Sequence, residues 1–271
     1  MQKRIRELLF RYEMKISIVV PAFNEEKLLG QSLGRIKEAA RSFDRRGWQW
    51  ELIVCDNNST DRTADIARDA GATVVFEPIN QIGRARNAGA AVATGDWLLF
   101  IDADSFPSTE LFGEVVTVIE QGRAVAGGST VKLDAADAPT RFLAHLWNGV
   151  SRVLRWVAGS FIFCEVSAFR AVGGFSNEFF TGEELDLSRK LKRHARSQRK
   201  QVVIIWKYPL VTSARKIQLY RRSELGRFFI RAVFRPNATM KNRPSSLRRY
   251  NWTLRAEVTS GYFQMMTTCF R

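Results

Sequence analysis

The first half of the chain alternates between short apolar runs and segments whose apolar residues recur at helical spacing. Ile16–Val20 is a continuous β-branched run that ends at Pro21, which predicts a buried strand. In Glu25–Arg41 the apolar positions recur at the spacing of one helix face, which predicts a helix. The same alternation continues, with predicted strands at Leu52–Cys55, Thr73–Phe76 and Trp97–Ile101 and predicted helices at Asp61–Ala70, Ile82–Ala93 and Thr109–Glu120.

This βαβα alternation predicts an α/β fold: an open, doubly wound, mostly parallel sheet with helices on both faces. The regular alternation of strands and helices ends after Gly122. Beyond that point we predict strands at Ala124–Leu133, Ser160–Phe163 and Val202–Trp206, and helices at residues 138–156 and Leu185–His194. The segment after Pro209 is basic and aromatic, and we expect it to form a helical C-terminal extension.

The net charge of +15 is unevenly distributed along the chain. Residues 1–188 carry 21 Lys and Arg against 25 Asp and Glu, whereas residues 189–271 carry 21 Lys and Arg against 2 acids. An acidic first part and a strongly basic last part indicate two different roles. The 45% hydrophobic content excludes a disordered chain and suffices for a sizeable core.

Cysteine usage and apolar run lengths bear on the compartment. Cys55, Cys164 and Cys269 are widely spaced and form no CxxC motif, so neither a disulfide framework nor a zinc site is expected. The apolar runs are of strand length, far below the roughly 20 residues of a membrane span. The apolar run near the N-terminus is too short for a secretory signal, and we therefore expect a cytoplasmic protein.

Polar motifs follow three of the predicted strands. They are Pro21–Glu26, Asp56–Asp61 and Asp102–Asp104. Because the carboxyl ends of parallel strands meet at one edge of a sheet, these motifs are expected to line one ligand crevice. Each motif alone has an ordinary explanation as a turn, a helix cap or a solvated acid.

Two further features suit a diphosphate and its counterion. Asp102 and Asp104 have little basic charge close to them in sequence, and paired carboxylates of this kind suit Mg²⁺ or Mn²⁺. Gly83 and Arg84 open a predicted helix, and a helix N-terminus with glycine and arginine suits a diphosphate.

The ordered motifs VVPAFNEE, VCDNNSTDRT, GRARNAGA, FIDADS, GGF and TGEELDLSRKLKR together resemble the family 2 glycosyltransferases, which have the GT-A fold. The resemblance covers residues 15–210 and implies a nucleoside-diphosphate-sugar donor, with a UDP-sugar favoured, and a Mg²⁺ or Mn²⁺ cofactor. It divides the domain into a nucleotide-binding half, 15–122, and an acceptor half, 123–210. Residues 1–14 then form a basic N-terminal extension and residues 211–271 a basic amphipathic C-terminal extension.

The resemblance also assigns roles to individual residues. It implies that the nucleoside is held by Pro21, Ala22, Glu25 and Asp56, that the diphosphate lies near Gly83 and Arg84, and that the metal is bound by Asp102 and Asp104. Glu183-Glu184 stand where the family usually has Glu-Asp, which makes Glu184 the implied catalytic base. Arg215 is implied as a late clamp on the diphosphate. The alternative for the Glu pair is stabilisation of a helix N-terminus.

The predicted function is therefore a metal-dependent, inverting glycosyl transfer to an acceptor hydroxyl. Two alternatives stay open: a nucleotide-sugar-binding protein without catalysis, and a nucleotidyltransferase. The latter would be expected to carry a Gly-rich, Lys-bearing loop after the first strand, where this chain has PAFNEE.

The basic C-terminal extension, residues 211–271, is predicted to contain a helix that binds a partner. Within Ser223–Arg235, three arginines recur every four residues beside apolar positions, which predicts a basic amphipathic helix. An anionic membrane surface and packing on the catalytic domain both remain open as its partner. Nucleic acid is unlikely because no recognised binding motif accompanies the charge.

Overall fold

The computed structural model describes residues 14–134, 138–157, 159–179 and 182–214. The strands are β1 (Lys15–Ala22), β2 (Gln49–Asp56), β3 (Thr73–Phe76), β4 (Trp97–Ile101), β5 (Ser105–Phe106), β6 (Ala124–Leu133), β7 (Phe161–Glu165) and β8 (Gln201–Thr212). The helices are α1 (Leu29–Asp44), α2 (Thr63–Asp69), α3 (Ile82–Val92), α4 (Thr109–Glu120), α5 (Ala138–Leu154), α6 (Val166–Ala171) and α7 (Glu183–Ser197).

The strands form one sheet in the order β3-β2-β1-β4-β7-β6-β8-β5. The first four are parallel, with β1 between β2 and β4. Strand β7 is antiparallel to both β4 and β6, while β6 and β8 are parallel. The carboxyl ends of β1, β2 and β4 therefore lie at the same edge, as the sequence predicts.

Helices cover both faces of this sheet. Along β1, Ile18 and Val20 face one layer and Val19 faces the other, which is the alternation expected of a pleated strand buried on both sides. Helices α1 and α4 pack on the first face, where the rings of Phe43 and Phe112 stack with centroids 5.1 Å apart. Helices α3, α6 and α7 pack on the second. The predicted α/β architecture is thus confirmed.

The predicted bounds agree with the structure for β3, β4, α4 and β6 and differ elsewhere. The largest difference is β8, which continues through Pro209 to Thr212 instead of ending at Trp206. Its pairing with β6 shifts register between Ser129 and Val131, and a proline without an N–H is tolerated at such an irregularity. Helix α7 begins at Glu183, two residues before the predicted start, and the short elements β5 and α6 were not predicted.

The predicted extensions lie largely outside the described residues. Residues 1–13 and 215–271 are not described, and the helix predicted at Ser223–Arg235 lies among them. The proposed domain boundary after residue 210 falls inside β8. Within the part of the chain that the structure describes, no helix has the length and apolarity needed to cross a bilayer.

Helix α3 approaches β1 closely because of Gly89. A Cβ placed at this position would lie 2.5 Å from Val19 Cγ1, so Gly89→Ala forces α3 away from the sheet. We expect this change to lower the free energy of unfolding by about 1–3 kcal/mol in urea denaturation. Gly34→Ala on α1, where a Cβ meets nothing within 4 Å, should instead raise it by about 0.5–1 kcal/mol. Equal effects of the two changes would contradict the close approach.

Candidate active site

The ends of β1 and β2 bring two of the predicted nucleotide-binding motifs together. Ala22 is paired with Asp56 in the strand register, and the Asn57 N–H donates to the Ala22 carbonyl at 2.8 Å. Asp56 is buried, and its Oδ1 accepts a hydrogen bond from the Ser59 N–H at 3.0 Å. Pro21, Ala22 and Asp56 thus lie at one edge of the sheet, which is where the sequence predicts them.

The loop after β1 is tied to the start of α2. Glu25 is buried, and its N–H donates to Thr63 Oγ1 at 2.8 Å. Asn24 has a positive φ of 51°, and its Oδ1 accepts from the Thr60 N–H at 2.8 Å. These contacts hold Glu25 at the same edge as Asp56.

The start of α3 joins this edge through Asn57. The Asn57 amide donates to the carbonyls of Glu77 and Ile79 at 3.1 and 2.6 Å, and its Oδ1 accepts from the Gln81 N–H at 2.9 Å. Arg84 Nε lies 3.2 Å from Glu77 Oε1. The sequence-predicted Gly83 and Arg84 are therefore close along the chain to a loop that is bonded to the end of β2.

A tight turn carries the two aspartates that follow β4. The Ser105 N–H donates to the Asp102 carbonyl at 3.1 Å, and both aspartates are buried. The Asp104 carbonyl accepts from the Ser213 N–H at 3.0 Å, which brings the end of β8 beside this turn. Arg215, two residues further on, lies outside the described residues.

The centre of the site is the side chain of Arg86, which is only 1% exposed. Its Nη2 donates to Asp102 Oδ1 at 2.9 Å. Its Nη1 donates to Glu184 Oε1 at 2.7 Å and to Glu183 Oε1 at 3.2 Å. One guanidinium thus joins the turn after β4 to the first residues of α7.

Close packing holds the first turn of α7 against α3. Gly83 faces the first turn of α7, where a Cβ on Gly83 would lie 3.3 Å from Glu183 Cγ. The Asn87 side chain accepts from the Phe175 N–H at 3.0 Å and donates to its carbonyl at 2.8 Å. The Phe175 ring in turn lies 5.2 Å from the Arg86 guanidinium carbon. Gly83 therefore serves the packing of α3 against α7.

Three carboxylates around one guanidinium leave an excess of negative charge in a buried place. Burial and the neighbouring Glu184 raise the pKa of Glu183 well above its ordinary value, against the opposing effect of Arg86. Burial also raises the pKa of Glu184, again opposed by Arg86. Burial alone would lower the pKa of Arg86, but the charges of Glu184, Asp102 and Glu183 raise it. The two glutamates titrate as a coupled pair.

The expectation that Asp102 has little basic charge near it is wrong for the folded protein. Arg86 is 16 residues away in sequence, yet it contacts Asp102 directly. Arg86 was not among the predicted site residues, whereas Arg84 was. One signal could have identified it: Arg86 lies on the same helix face as the small residues Gly89 and Ala90, which marks the buried side of α3.

The two histidines do not join this cluster. His145 is exposed on α5, and His194 lies in the last turn of α7, at the opposite end from Glu183 and Glu184.

The residues present fit a hard cation that takes most of its ligands from elsewhere. In the described ranges, no group of three or more His, Cys, Asp or Glu side chains could hold a metal ion. Asp104 supplies a buried carboxylate, and Asp102 supplies a second whose Oδ1 already binds Arg86. Such a small oxygen donor set suits Mg²⁺ or Mn²⁺, which usually complete their coordination with water and substrate phosphates.

The raised pKa values have a consequence for stability. Because the folded protein binds the glutamate protons more tightly than the unfolded chain does, folding stability falls as pH rises from about 4.5 through the folded pKa values. Glu183→Gln removes one of these groups. We therefore expect the melting temperature of the variant, relative to the unmodified protein, to rise between about pH 5 and pH 8.

The matched control for this prediction is Glu38→Gln, an exposed glutamate on α1. Its melting temperature relative to the unmodified protein should change little over the same pH range. A Glu183→Gln variant that behaves like Glu38→Gln would contradict a raised pKa at Glu183.

Comparison with known proteins identifies the family. The model of the family described as Glycosyl transferase family 2 matches residues 17–169. The undecaprenyl-phosphate 4-deoxy-4-formamido-L-arabinose transferase of Edwardsiella ictaluri is 32% identical over 164 residues, which cover 58% of this chain and 49% of that protein. The chain thus spans about half the length of this relative.

Solved structures show the same fold. The mannosyltransferase PcManGT of Pyrobaculum calidifontis, in complex with GDP-Man and Mn²⁺, has a TM-score of 0.59 at 19% identity and covers 94% of this chain and 75% of its own. The glucosyl-3-phosphoglycerate synthase of Mycobacterium tuberculosis, in complex with Mn²⁺, UDP-glucose and phosphoglyceric acid, has a TM-score of 0.56 at 20% identity and covers 79% of this chain and 75% of its own. The fold is therefore that of the GT-A glycosyltransferases, and the chain belongs to glycosyl transferase family 2.

Proposed function

We propose that this protein is a metal-dependent, inverting glycosyltransferase that moves a sugar from a nucleoside-diphosphate sugar to an acceptor hydroxyl. The observation that carries this proposal is the buried cluster in which Arg86 binds Asp102, Glu183 and Glu184. It brings the metal-binding candidates and the candidate base to one edge of the parallel strands, next to the predicted nucleoside surface.

The donor is held at the ends of β1 and β2. Pro21, Ala22, Glu25 and Asp56 form the nucleoside surface, which is supported by the pairing of Ala22 with Asp56. The two structural neighbours carry a GDP-sugar and a UDP-sugar respectively. We favour a UDP-sugar for this chain on the family resemblance.

The diphosphate lies between the start of α3 and the turn after β4. Gly83 and Arg84 border it on one side, and Asp102 and Asp104 border it on the other. On the family resemblance we assign Arg215 to the same diphosphate. Asp104, helped by Asp102, would hold Mg²⁺ or Mn²⁺. When bound, such an ion neutralises the charge that grows on the leaving diphosphate.

Glu184 acts as the general base. A buried carboxylate with a raised pKa accepts a proton more readily near neutral pH than an ordinary glutamate does. Arg86 orients the carboxylate through the 2.7 Å contact with Oε1. As Glu184 takes the proton of the acceptor hydroxyl, the oxygen attacks the anomeric carbon from the face opposite the diphosphate. This single displacement inverts the anomeric centre, so an α-linked donor gives a β-linked product.

The acceptor is proposed to be associated with a membrane. The Edwardsiella relative is named for an undecaprenyl-phosphate substrate. A cytoplasmic protein that binds peripherally to the inner face of the membrane would meet such lipid-linked acceptors.

A substitution of Glu184 tests its proposed role as the general base. Glu184→Gln keeps the size and a hydrogen-bonding oxygen of the side chain but cannot take up the proton, so kcat for sugar transfer should fall by about 10²–10⁴-fold. Donor binding, measured by calorimetry, should be largely retained. Glu183→Gln is the matched control, because it contacts the same guanidinium and should retain far more turnover. Equal turnover of the two variants would remove Glu184 from this role.

The effect of Mn²⁺ on nucleotide binding tests the proposed metal site. A ligand that binds only the folded state stabilises it by about 2.7 kcal/mol at 100 times its Kd. Because the proposed metal site strengthens the binding of UDP, UDP with Mn²⁺ should raise the melting temperature clearly more than UDP alone. Asp104→Ala should abolish the part that depends on Mn²⁺. Asp65→Asn, an exposed aspartate on α2, should leave it unchanged. A nucleotide effect that is indifferent to both Mn²⁺ and Asp104→Ala would contradict the proposed site.

A further inference from the structure

Two residues of α5 whose side chains the structure describes, Ala144 and Asn148, contact β6. Ala144 is buried against Leu133 and Ala214. The Asn148 side chain accepts from the Val131 N–H at 2.9 Å and donates to the Val131 carbonyl at 2.8 Å. An alanine and two hydrogen bonds therefore contribute to the contact of α5 with β6.

Three large apolar residues of α5 form an outer stripe, which comprises Phe142, Leu146 and Val153 with exposed fractions of 68%, 49% and 82%. Their spacing of four and seven residues places them on one face of the helix. Large apolar residues that are exposed together on one helix face are typical of surfaces that bind a partner. The outer stripe therefore favours an external apolar partner.

A tryptophan of β8 adds to the exposed apolar surface near α5. Trp206 is 59% exposed, and the Arg152 guanidinium carbon lies 4.7 Å from its ring centroid. Tryptophan and arginine each have an apolar body and a polar end, so both suit the boundary between lipid headgroups and acyl chains.

The charge around the outer stripe is positive. Residues 138–164 contain Arg141, Arg152 and Arg155 and no Asp or Glu, and all three arginines are exposed. Residues 215–271 carry 13 Lys and Arg against 2 acids, so this tail has the same sign of charge as the α5 surface. A second copy of the chain that docked through the same face would bring the same positive charge. Charge complementarity therefore favours an anionic partner over either of these.

A basic cavity of about 350 Å³ opens at the Val153 end of the outer stripe. Four cations line it: Arg155, Lys192, Arg196 and Lys200. Lys200 pairs with Glu165, whereas the Lys192 ammonium donates to the Leu154 carbonyl at 2.7 Å. Partial burial lowers the pKa of Lys192, and the charges of Arg196 and Arg155 lower it further. An anionic group in this cavity would relieve that repulsion.

We propose that α5 docks on a bilayer that contains anionic phospholipid. The outer stripe enters the boundary between headgroups and acyl chains, and the basic cavity faces headgroup phosphates. This inference goes beyond sugar transfer, because it places peripheral attachment on α5 whatever the tail contributes.

Vesicle flotation of the full chain tests the docking surface. With phosphatidylcholine vesicles that contain about 30 mol% phosphatidylglycerol, the double variant Phe142→Ser/Val153→Ser should lower the partition coefficient about tenfold. Val92→Ser, an exposed valine on α3, is the apolar control and should leave it unchanged. An unchanged coefficient in the double variant, or an equal loss in Val92→Ser, would overturn the proposal.

The cations are tested in the same assay with charge-matched variants. Arg155→Gln/Arg196→Gln should weaken binding several-fold on the anionic vesicles and change little on pure phosphatidylcholine. The control Arg35→Gln/Arg68→Gln removes the same charge from α1 and α2, and it should have a smaller effect. Equal effects of the two pairs would show that only net charge matters, and they would overturn the role of the cavity.

A polarity-sensitive fluorophore locates the contact directly. In a Cys269→Ser background, a label on Val153→Cys should shift to shorter wavelength when anionic vesicles are added, and a label on Val92→Cys should not. No shift at position 153 with vesicle-bound protein would mean that another surface docks. Lipid binding is measured here without nucleotide or metal, so its outcome is independent of donor binding and of the proposed reaction.

Discussion

The buried ion pairs of Arg86 hold together three segments that are far apart in sequence. The guanidinium lies on α3 and contacts Asp102 after β4 and the two glutamates that begin α7. Breaking a buried pair of this kind costs about 3–5 kcal/mol, because a charge is left in the protein without its partner. The pairs therefore fix α7 against the parallel half of the sheet. Two glycines on α3 make the arrangement possible, since Gly89 lets the helix approach β1 and Gly83 lets α7 approach the helix.

The same cluster contains more carboxyl groups than cations. One guanidinium compensates only part of the charge of Asp102, Glu183 and Glu184, and Asp104 follows two residues after Asp102. Burial of these acids costs folding free energy, which is expressed in the raised pKa values of both glutamates, and the neighbouring acids add to the effect. Asp102 and Asp104 lie where we propose that a cation binds, and the raised pKa of Glu184 suits a proton acceptor. Stability lost here is thus coupled to the proposed chemistry.

The sequence predicted the fold well because the parallel strands are short continuous apolar runs, such as Trp97–Ile101, that alternate with segments of helical spacing. The strand ends and their acids followed from the same topology. Arg86 was missed because its role depends on side-chain burial across 97 residues of sequence, from α3 to α7, which local spacing does not encode. The end of β8 was missed because Pro209 argues against a strand, and only the irregular pairing with β6 explains why the strand tolerates it.

Helix α7 connects the candidate active site to the basic cavity. Acids stand at its N-terminus and cations at its C-terminus, which is the order that the helix dipole favours at both ends. Glu184 and Arg196 are separated by about 18 Å along the helix axis at 1.5 Å per residue. A headgroup in the cavity therefore lies too far from Glu184 to be the reacting acceptor. The end of α5 is nevertheless fixed to α7, since the Val157 N–H donates to Ser188 Oγ at 3.1 Å and Lys192 binds Leu154. Docking through α5 would thus set the distance and orientation of the candidate base relative to the membrane, while the acceptor itself reaches the site by another route.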